Sequence, residues 1–437
     1  MASESWRFPR IFWLANFMEL CERAAYYGFF IVLTLFLTDI VGFSDKETGV
    51  VAGVFYAFLY LLPPFVGAIC DKIGFRQGMT LAFGLLTIGY TLLGFFHGKL
   101  AVILILAVIM VGGSFIKPLI TGTVAMTTDE LNRARGYSLF YWVVNFGAFG
   151  GKTFVPFIRQ GMGLQYVNFF SAGMAFLAFL FALFFFKGME RKSEGKPIGQ
   201  VFKSMKAIFS SPKLMSLTLI VAGFWIIQQQ MYATMPKYVI RLIGDGARPE
   251  WLANVNPLIV VLFVVPVTQM MKKRPAITSM LLGMLLMPFS AMAMAGSQWL
   301  QTGLLGLHPL TVMMILGIAI QGLAECFISP RFLEYFSLQA PKGEEGLYLG
   351  FSHLHSFFSA LIGFILSGFL LEAYCPDPKT LPAGISALEK AARYSNAYKI
   401  WFVFLGIGFA AAVALLVFRL VVKEEKKEEK ELAGATP

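Results

Sequence analysis

The chain has 437 residues, of which 57% are hydrophobic, 15% aromatic and only 14% charged, with a mean hydropathy of +0.70. Ordinary globular domains run at about 45–50% apolar and 25% charged residues, so the composition excludes a soluble protein and describes a polytopic membrane protein. The formal charge of +11 does not point to nucleic acid, because the bases gather in particular connections between apolar runs, where topology accounts for them.

Apolar runs long enough to cross a bilayer, about 17–25 residues each, recur twelve times, near 11–38, 49–70, 78–97, 101–126, 137–159, 166–187, 214–240, 252–271, 276–296, 309–335, 346–372 and 397–422. This predicts an all-α integral membrane bundle. The longest charged connection, Gly188 to Pro212, divides it into a first bundle at 1–187, a cytoplasmic linker at 188–213, a second bundle at 214–422 and a cytoplasmic tail at 423–437. Two parallel six-helix halves around a midplane site is the arrangement of secondary transporters built from repeats. Arg7, Arg10, Lys72, Arg76, Arg133, Arg135, Lys272, Lys273, Arg274 and the Lys423 to Lys430 tail fall on one side, which predicts cytoplasmic termini in a cell inner (plasma) membrane. No cleavable leader is expected, so the first helix serves as the insertion signal.

The first span carries Glu19, Glu22, Arg23, Tyr26, Tyr27 and Gly28 inside an otherwise apolar segment. On a helix, positions 19, 22, 23, 26 and 27 share one stripe. A charge at mid-bilayer depth costs at least about 2.5–3.5 kcal/mol, so the stripe must face a protein interior or a wet cavity. The bland alternative is an ion pair that only pins the helix. Between spans two and three, Gly74 permits a tight turn, Asp71 can accept hydrogen bonds at a neighbouring helix end, and Lys72 and Arg76 serve the positive side.

Lys117 in the fourth span and Glu325 in the tenth lie too deep to reach water comfortably. They belong to opposite halves, which predicts one central chamber with an ammonium and a carboxylate on facing walls. Such a pair can hold a zwitterion by its two ends. A peptide meets that requirement, its α-carboxylate toward Lys117, Arg23 and Asn145 and its α-ammonium toward Glu325. Tyr26, Tyr27, Tyr60 and Trp225 supply walls with apolar faces and polar tips. Cys21, Cys70, Cys326 and Cys375 lie far apart without metal-ligand spacing, and neither a metal nor a redox site is expected. His353 and His355 fit a proton relay less well than a helix surface or loop. The connection from Cys375 to Ala397 is expected to hold a short amphipathic helix over Ser386 to Arg393, as a surface loop rather than a lid.

Gly67 to Arg76 resembles the loop signature of the major facilitator superfamily. Further stretches are similar to the proton-coupled oligopeptide transporters of that superfamily. The opening stretch resembles Glu-x-x-Glu-Arg-Phe-x-Tyr-Tyr-Gly with Ala24 in place of Phe. Tyr60 with Pro63, Phe115-Ile116-Lys117-Pro118, and Phe140-Tyr141 with Asn145 and Gly147 resemble patterns of the first half. Phe224-Trp225 with Gln229-Gln230, Asn256-Pro257, and Glu325 with Ser329-Pro330 and Ala340-Pro341 resemble those of the second.

The resemblance implies a major facilitator fold of twelve helices and proton-coupled symport of di- and tripeptides or peptide-like zwitterions by alternating access. It implies substrate contacts at Arg23, Tyr26, Tyr27, Tyr60, Lys117, Asn145, Trp225, Gln229, Asn256 and Glu325, and proton coupling through Glu19, Glu22, Arg23 and Glu325. Asp71, Lys72, Gly74 and Arg76 form the conformational motif. The proton is the coupling ion, with no cofactor and no metal; short peptides and the bilayer are the partners, no nucleic acid is bound, and a monomer is expected.

Three departures stand out. Gln229 replaces an acid common on helix seven, Leu119 replaces an Asn, and the connection after span six is too short for two extra helices. The first two leave open a carrier of the same fold for another small organic solute, with or without proton coupling. An enzyme or receptor is not expected, for want of a nucleophile with a base, a metal cluster, a phosphate loop or an output module.

Overall fold

The computed structural model describes residues 7–129, 132–187, 198–300, 303–304, 306–339, 345–382 and 384–434, every regular element among them helical. Ala340, Pro341, Lys342, residues 188–197 of the linker and the side chain of Asp71 lie outside the described set.

The first half comprises α1 (Arg10–Asp39), α2 (Asp45–Leu61), α3 (Pro63–Ile73), α4 (Phe75–Phe95), α5 (Lys99–Met126), α6 (Arg133–Gly161) and α7 (Tyr166–Phe184). A linker helix α8 (Ile198–Phe209) leads to α9 (Pro212–Gln228), α10 (Gln230–Ala233), α11 (Met235–Ile243), α12 (Pro249–Leu252), α13 (Val255–Met271), α14 (Ala276–Ala295) and α15 (Pro309–Leu338). The chain closes with α16 (Glu345–Ser352), α17 (Leu354–Tyr374), α18 (Ala387–Tyr394) and α19 (Lys399–Gly434).

Among the described residues, ten helical segments are long and apolar enough to cross a membrane, and an eleventh span is made by α2 and α3 together, bent by 45°. The remaining expected span, the fifth at 137–159, coincides with α6, which at 29 residues is long enough but carries Arg133, Arg135, Lys152 and Arg159. Its polarity, not its length, sets it apart.

Local chemistry explains the breaks. Ser44 and Glu47 close a capping box that starts α2. Leu62 ends it, and Pro63, lacking an N–H, starts α3 at the first helical position. Gly74, at φ +88°, takes the left-handed turn between α3 and α4 that a side chain would strain. The seventh span is interrupted at Gln229 and again at Thr234, just before Pro236 in the first turn of α11. The linker is more than a charged connection: α8 packs beneath the bundle, with the Phe202 ring 5.1 Å from Phe65 of α3. The expected amphipathic helix is α18, opened by a capping box from Ser386 and Glu389.

The first helix is the axis of the first half, with 89% of its most apolar window buried against α6, α7 and α5. It gets that close to α6 because Gly151 faces Ala24, whose carbonyl would lie 2.4 Å from any added Cβ. Replacing Gly151 by Val should therefore part α1 from α6 at a cost of about 1–3 kcal/mol. A lowered unfolding temperature of the purified protein in detergent is the expected result.

Candidate functional site

The stripe on α1 turns inward as predicted. Glu19, Glu22 and Arg23 are all buried. Arg23 pairs with Glu19 at 3.2 Å and, more tightly still, with Glu22. The guanidinium lies over the rings of Tyr26 at 5.3 Å and Tyr27 at 5.8 Å. A buried charge stays ionised only when paired and hydrogen-bonded, and this cluster supplies its own counter-charges.

One cavity brings Glu22, Arg23, Tyr26, Tyr60 and Lys117 together, walled by Phe55, Leu59, Pro63, Leu86, Tyr90, Ile109 and Gly113. A helix break and an internal proline mark the positions of two of its polar groups. Tyr60 sits at the bend between α2 and α3, where its hydroxyl accepts from Tyr56 at 3.2 Å and its ring lies under the Lys117 ammonium at 4.6 Å. Lys117 stands beside Pro118, inside α5.

Every lining residue of that cavity comes from the first half, so the expected single chamber with Lys117 and Glu325 on facing walls is not what this structure holds. Glu325 belongs to a second cluster. Its Oε2 accepts from Gln228 at 2.9 Å and from Asn256 at 3.2 Å. The two clusters meet through Tyr27, whose ring centroid is 6.3 Å from that of Tyr232 and which lies within electrostatic reach of Glu325.

The remaining expected residues fall as follows. Asn145 is half-buried and donates to the Tyr141 carbonyl of its own helix at 2.8 Å. Trp225 stacks on His355 at 5.2 Å. Gln229 is buried and reaches the Tyr56 hydroxyl across the halves, away from Glu325. Leu119 is fully buried against α4, next to Gly78, so its replacement of a polar residue does not change the cavity wall. Arg76 donates to the Leu183 carbonyl at 2.8 Å, where a cation suits the end of α7, while Lys72 is exposed. His355 is buried rather than on a surface, between Trp225 and Phe332. His353 lies 6.1 Å from both the Tyr60 and the His355 rings. All four cysteines are buried, and burial pushes the Cys375 thiol up to about 12, which fits an inert thiol.

Not anticipated from the sequence is how the halves join at the end of the bundle where α1 finishes. Asp45 accepts from Lys237 at 2.7 Å and from Arg241 at 2.8 Å, all three buried or nearly so. Arg241 also donates to the Cys375 carbonyl at 2.6 Å. Arg159 pairs with the fully buried Glu250 at 2.6 Å, and Asn254 donates to Thr153 at 3.0 Å. Lys152, also buried, donates to the Ala253 carbonyl at 2.9 Å. The pairs Lys46–Glu372 and Lys379–Asp39 add exposed contacts of small energetic weight. Apart from Lys152, each of these groups stands near a span boundary, where single charges are ordinary in any membrane protein. Gln228 went unremarked because its neighbour Gln229 carries the resemblance.

A helical membrane bundle with charged clusters between two halves, held shut at one end by cross-half ion pairs, defines a multi-pass membrane carrier. The major facilitator superfamily model matches residues 15–306 and 249–437, and the chain belongs to that superfamily. Among curated proteins it is 28% identical over 242 residues to dipeptide and tripeptide permease B of Aliivibrio fischeri, covering 54% of this chain and 48% of that one. It is 25% identical over 238 residues to dipeptide and tripeptide permease A of Proteus mirabilis, with the same shares covered. The chain thus matches about half the length of these relatives. Among solved structures, a peptide transporter POT in complex with sulfate superposes with a TM-score of 0.73 at 18% identity, covering 95% of each chain. One described in terms of substrate recognition in proton-dependent oligopeptide transporters gives 0.71 at 20%, covering 94% of this chain and 98% of that one. These likenesses establish the fold, and the superfamily and its relatives are transporters rather than enzymes.

Removing the carboxylate of Asp45 leaves the buried Lys237 without its counter-charge and Arg241 with only the Cys375 carbonyl and the more distant Asp377 at 3.8 Å, a change that costs about 3–5 kcal/mol. Asp45→Ala should lower the unfolding temperature sharply and raise thiol labelling of a single cysteine placed between α2 and α11; unchanged labelling would show that the pair does not close this end.

Proposed function

We propose that the chain is a proton-coupled symporter of di- and tripeptides, a member of the oligopeptide-transporter branch of its superfamily, working by alternating access. The observation that carries this reading is Arg23, held between Glu19 and Glu22, in the same cavity as the Lys117 ammonium. Two cations there can receive a peptide carboxylate. Protonating one of the glutamates removes a competitor for Arg23 and frees the guanidinium to bind that carboxylate, so proton and substrate load together.

Gln229 cannot titrate, and its side chain is engaged with Tyr56. Coupling in this chain therefore rests on Glu19, Glu22 and Glu325. Trp225, Asn256, Tyr26, Tyr27 and Tyr60 serve as the walls, and Asn145 joins them once its amide leaves Tyr141. The two bundles at 1–187 and 214–422 move as the rocking bodies, with Gly74 and its neighbours as the turn between spans.

With both termini in the cytoplasm of an inner-membrane protein, the end sealed by Asp45, Lys237, Arg241, Arg159 and Glu250 faces outward. The structure then represents the outward-closed state. The same reading takes the carrier as a monomer, with the proton as its only coupling ion and no cofactor; a solved peptide transporter of this fold is described as tetrameric.

In reconstituted vesicles an inward pH gradient should drive accumulation of labelled dialanine. Glu22→Gln should abolish gradient-driven uptake while preserving exchange, and Lys117→Ala should weaken dipeptide affinity about tenfold or more, the scale of a lost charged hydrogen bond. If no dipeptide competes with any transported solute, the peptide assignment is wrong.

A further inference from the structure

Lys152 joins the halves through a backbone carbonyl and has no carboxylate of its own. It lies on α6 with 1% of its surface exposed. Its ammonium lies 5.5 Å from the centroid of the Tyr27 ring, which the Arg23 guanidinium approaches at 5.8 Å. Among the described residues its only hydrogen bond goes to the Ala253 carbonyl at 2.9 Å, and no carboxylate stands within ion-pair distance. An ammonium has three N–H donors, so two are unused. Three residues beyond Ala253, Asn256 donates to Glu325 at 3.2 Å, so one short stretch of backbone joins the two charged groups.

Beside the same carboxylate, Gln228 spends its amide N–H on Glu325 and leaves its Oε1 buried with no donor. An unsatisfied buried acceptor is costly and marks a place where a ligand donor fits. On the second-half side of Tyr27 the protein thus holds two spare N–H donors on Lys152 and, beside Glu325, one spare acceptor on Gln228.

We propose that Lys152 is a specificity-determining residue that supplies Glu325 with its counter-charge from within the protein, so that this carrier accepts N-acylated, amine-free peptides. The inference rests on the peptide reading of the site and refines it. The charges balance without help from a ligand: Arg23, Lys117 and Lys152 against Glu19, Glu22 and Glu325. A free α-ammonium arriving at Glu325 meets a like charge that Ala253 holds in place, in a region of low dielectric where repulsion is strong. An acylated nitrogen brings no charge. Its N–H can donate to Gln228 Oε1, and its acyl oxygen can accept from Lys152.

The test is direct binding of dialanine and N-acetyl-dialanine to the purified full chain by calorimetry, for wild type, Lys152→Met and Lys152→Arg. Wild type should bind the acetylated peptide within about tenfold of dialanine, whereas a site that demands an ammonium rejects it by orders of magnitude. Lys152→Met should weaken only the acetylated peptide, by about tenfold or more, the scale of a lost charge-assisted hydrogen bond; Lys152→Arg should retain it. Rejection of the acetylated peptide by wild type that binds dialanine overturns the inference and leaves the peptide reading intact. Equal weakening of both ligands in Lys152→Met also overturns it, since that is a structural effect. Should Lys152→Met fail to fold, the wild-type ratio decides. Binding of the acetylated peptide alone, lost without the Lys152 charge, keeps the inference and removes the zwitterion reading; binding of neither removes both.

Discussion

Charge buried in an apolar bundle has to be neutralised locally, and the rest of this molecule is arranged around that constraint. The cost of an unpaired ion in the interior is several kcal/mol even after relaxation. Arg23 takes Glu19 and Glu22 from its own helix. Asp45 takes Lys237 and Arg241 from the other half, and Glu250 takes Arg159 likewise. Neutralisation within one half builds a site. Neutralisation between halves builds a closure that can be released only when the partners find water or one another's replacements.

Under the alternating-access reading proposed above, that distinction separates the carrier's two states. The cross-half pairs lie at one end of the bundle, so breaking them exposes charges to solvent on that side alone, where hydration repays part of the loss. Groups nearer the middle have no such recourse. Lys152 lies beside the Tyr27 ring and donates to the Ala253 carbonyl, while Asn256 donates to Glu325.

Helix breaks place the polar groups that do not carry charge. Tyr60 stands at the bend before Pro63, and Gln228 and Gln229 flank the interruption of the seventh span. A residue at a break turns out of the register of the preceding helix. Gln228 and Gln229 accordingly serve opposite neighbours, Glu325 in their own half and Tyr56 in the other. A linear motif containing Gln229 did not single out Gln228, because the partner of each is set by packing against other helices.

By itself the sequence determined the membrane class, the position of nearly every span, and the inward-facing stripe on the first helix. Each follows from local quantities: apolar run length, the helical repeat, and the penalty for charge in lipid. It also fixed the turn at Gly74 and the short helix opened by Ser386. Tertiary structure alone decided which charge meets which. Lys117 and Glu325, depth-matched in the linear chain, line different clusters, because depth along a helix does not fix its rotation against its neighbours. Asp45 finds Lys237 and Arg241 nearly two hundred residues away, a pairing set by how two halves pack and invisible to any local rule.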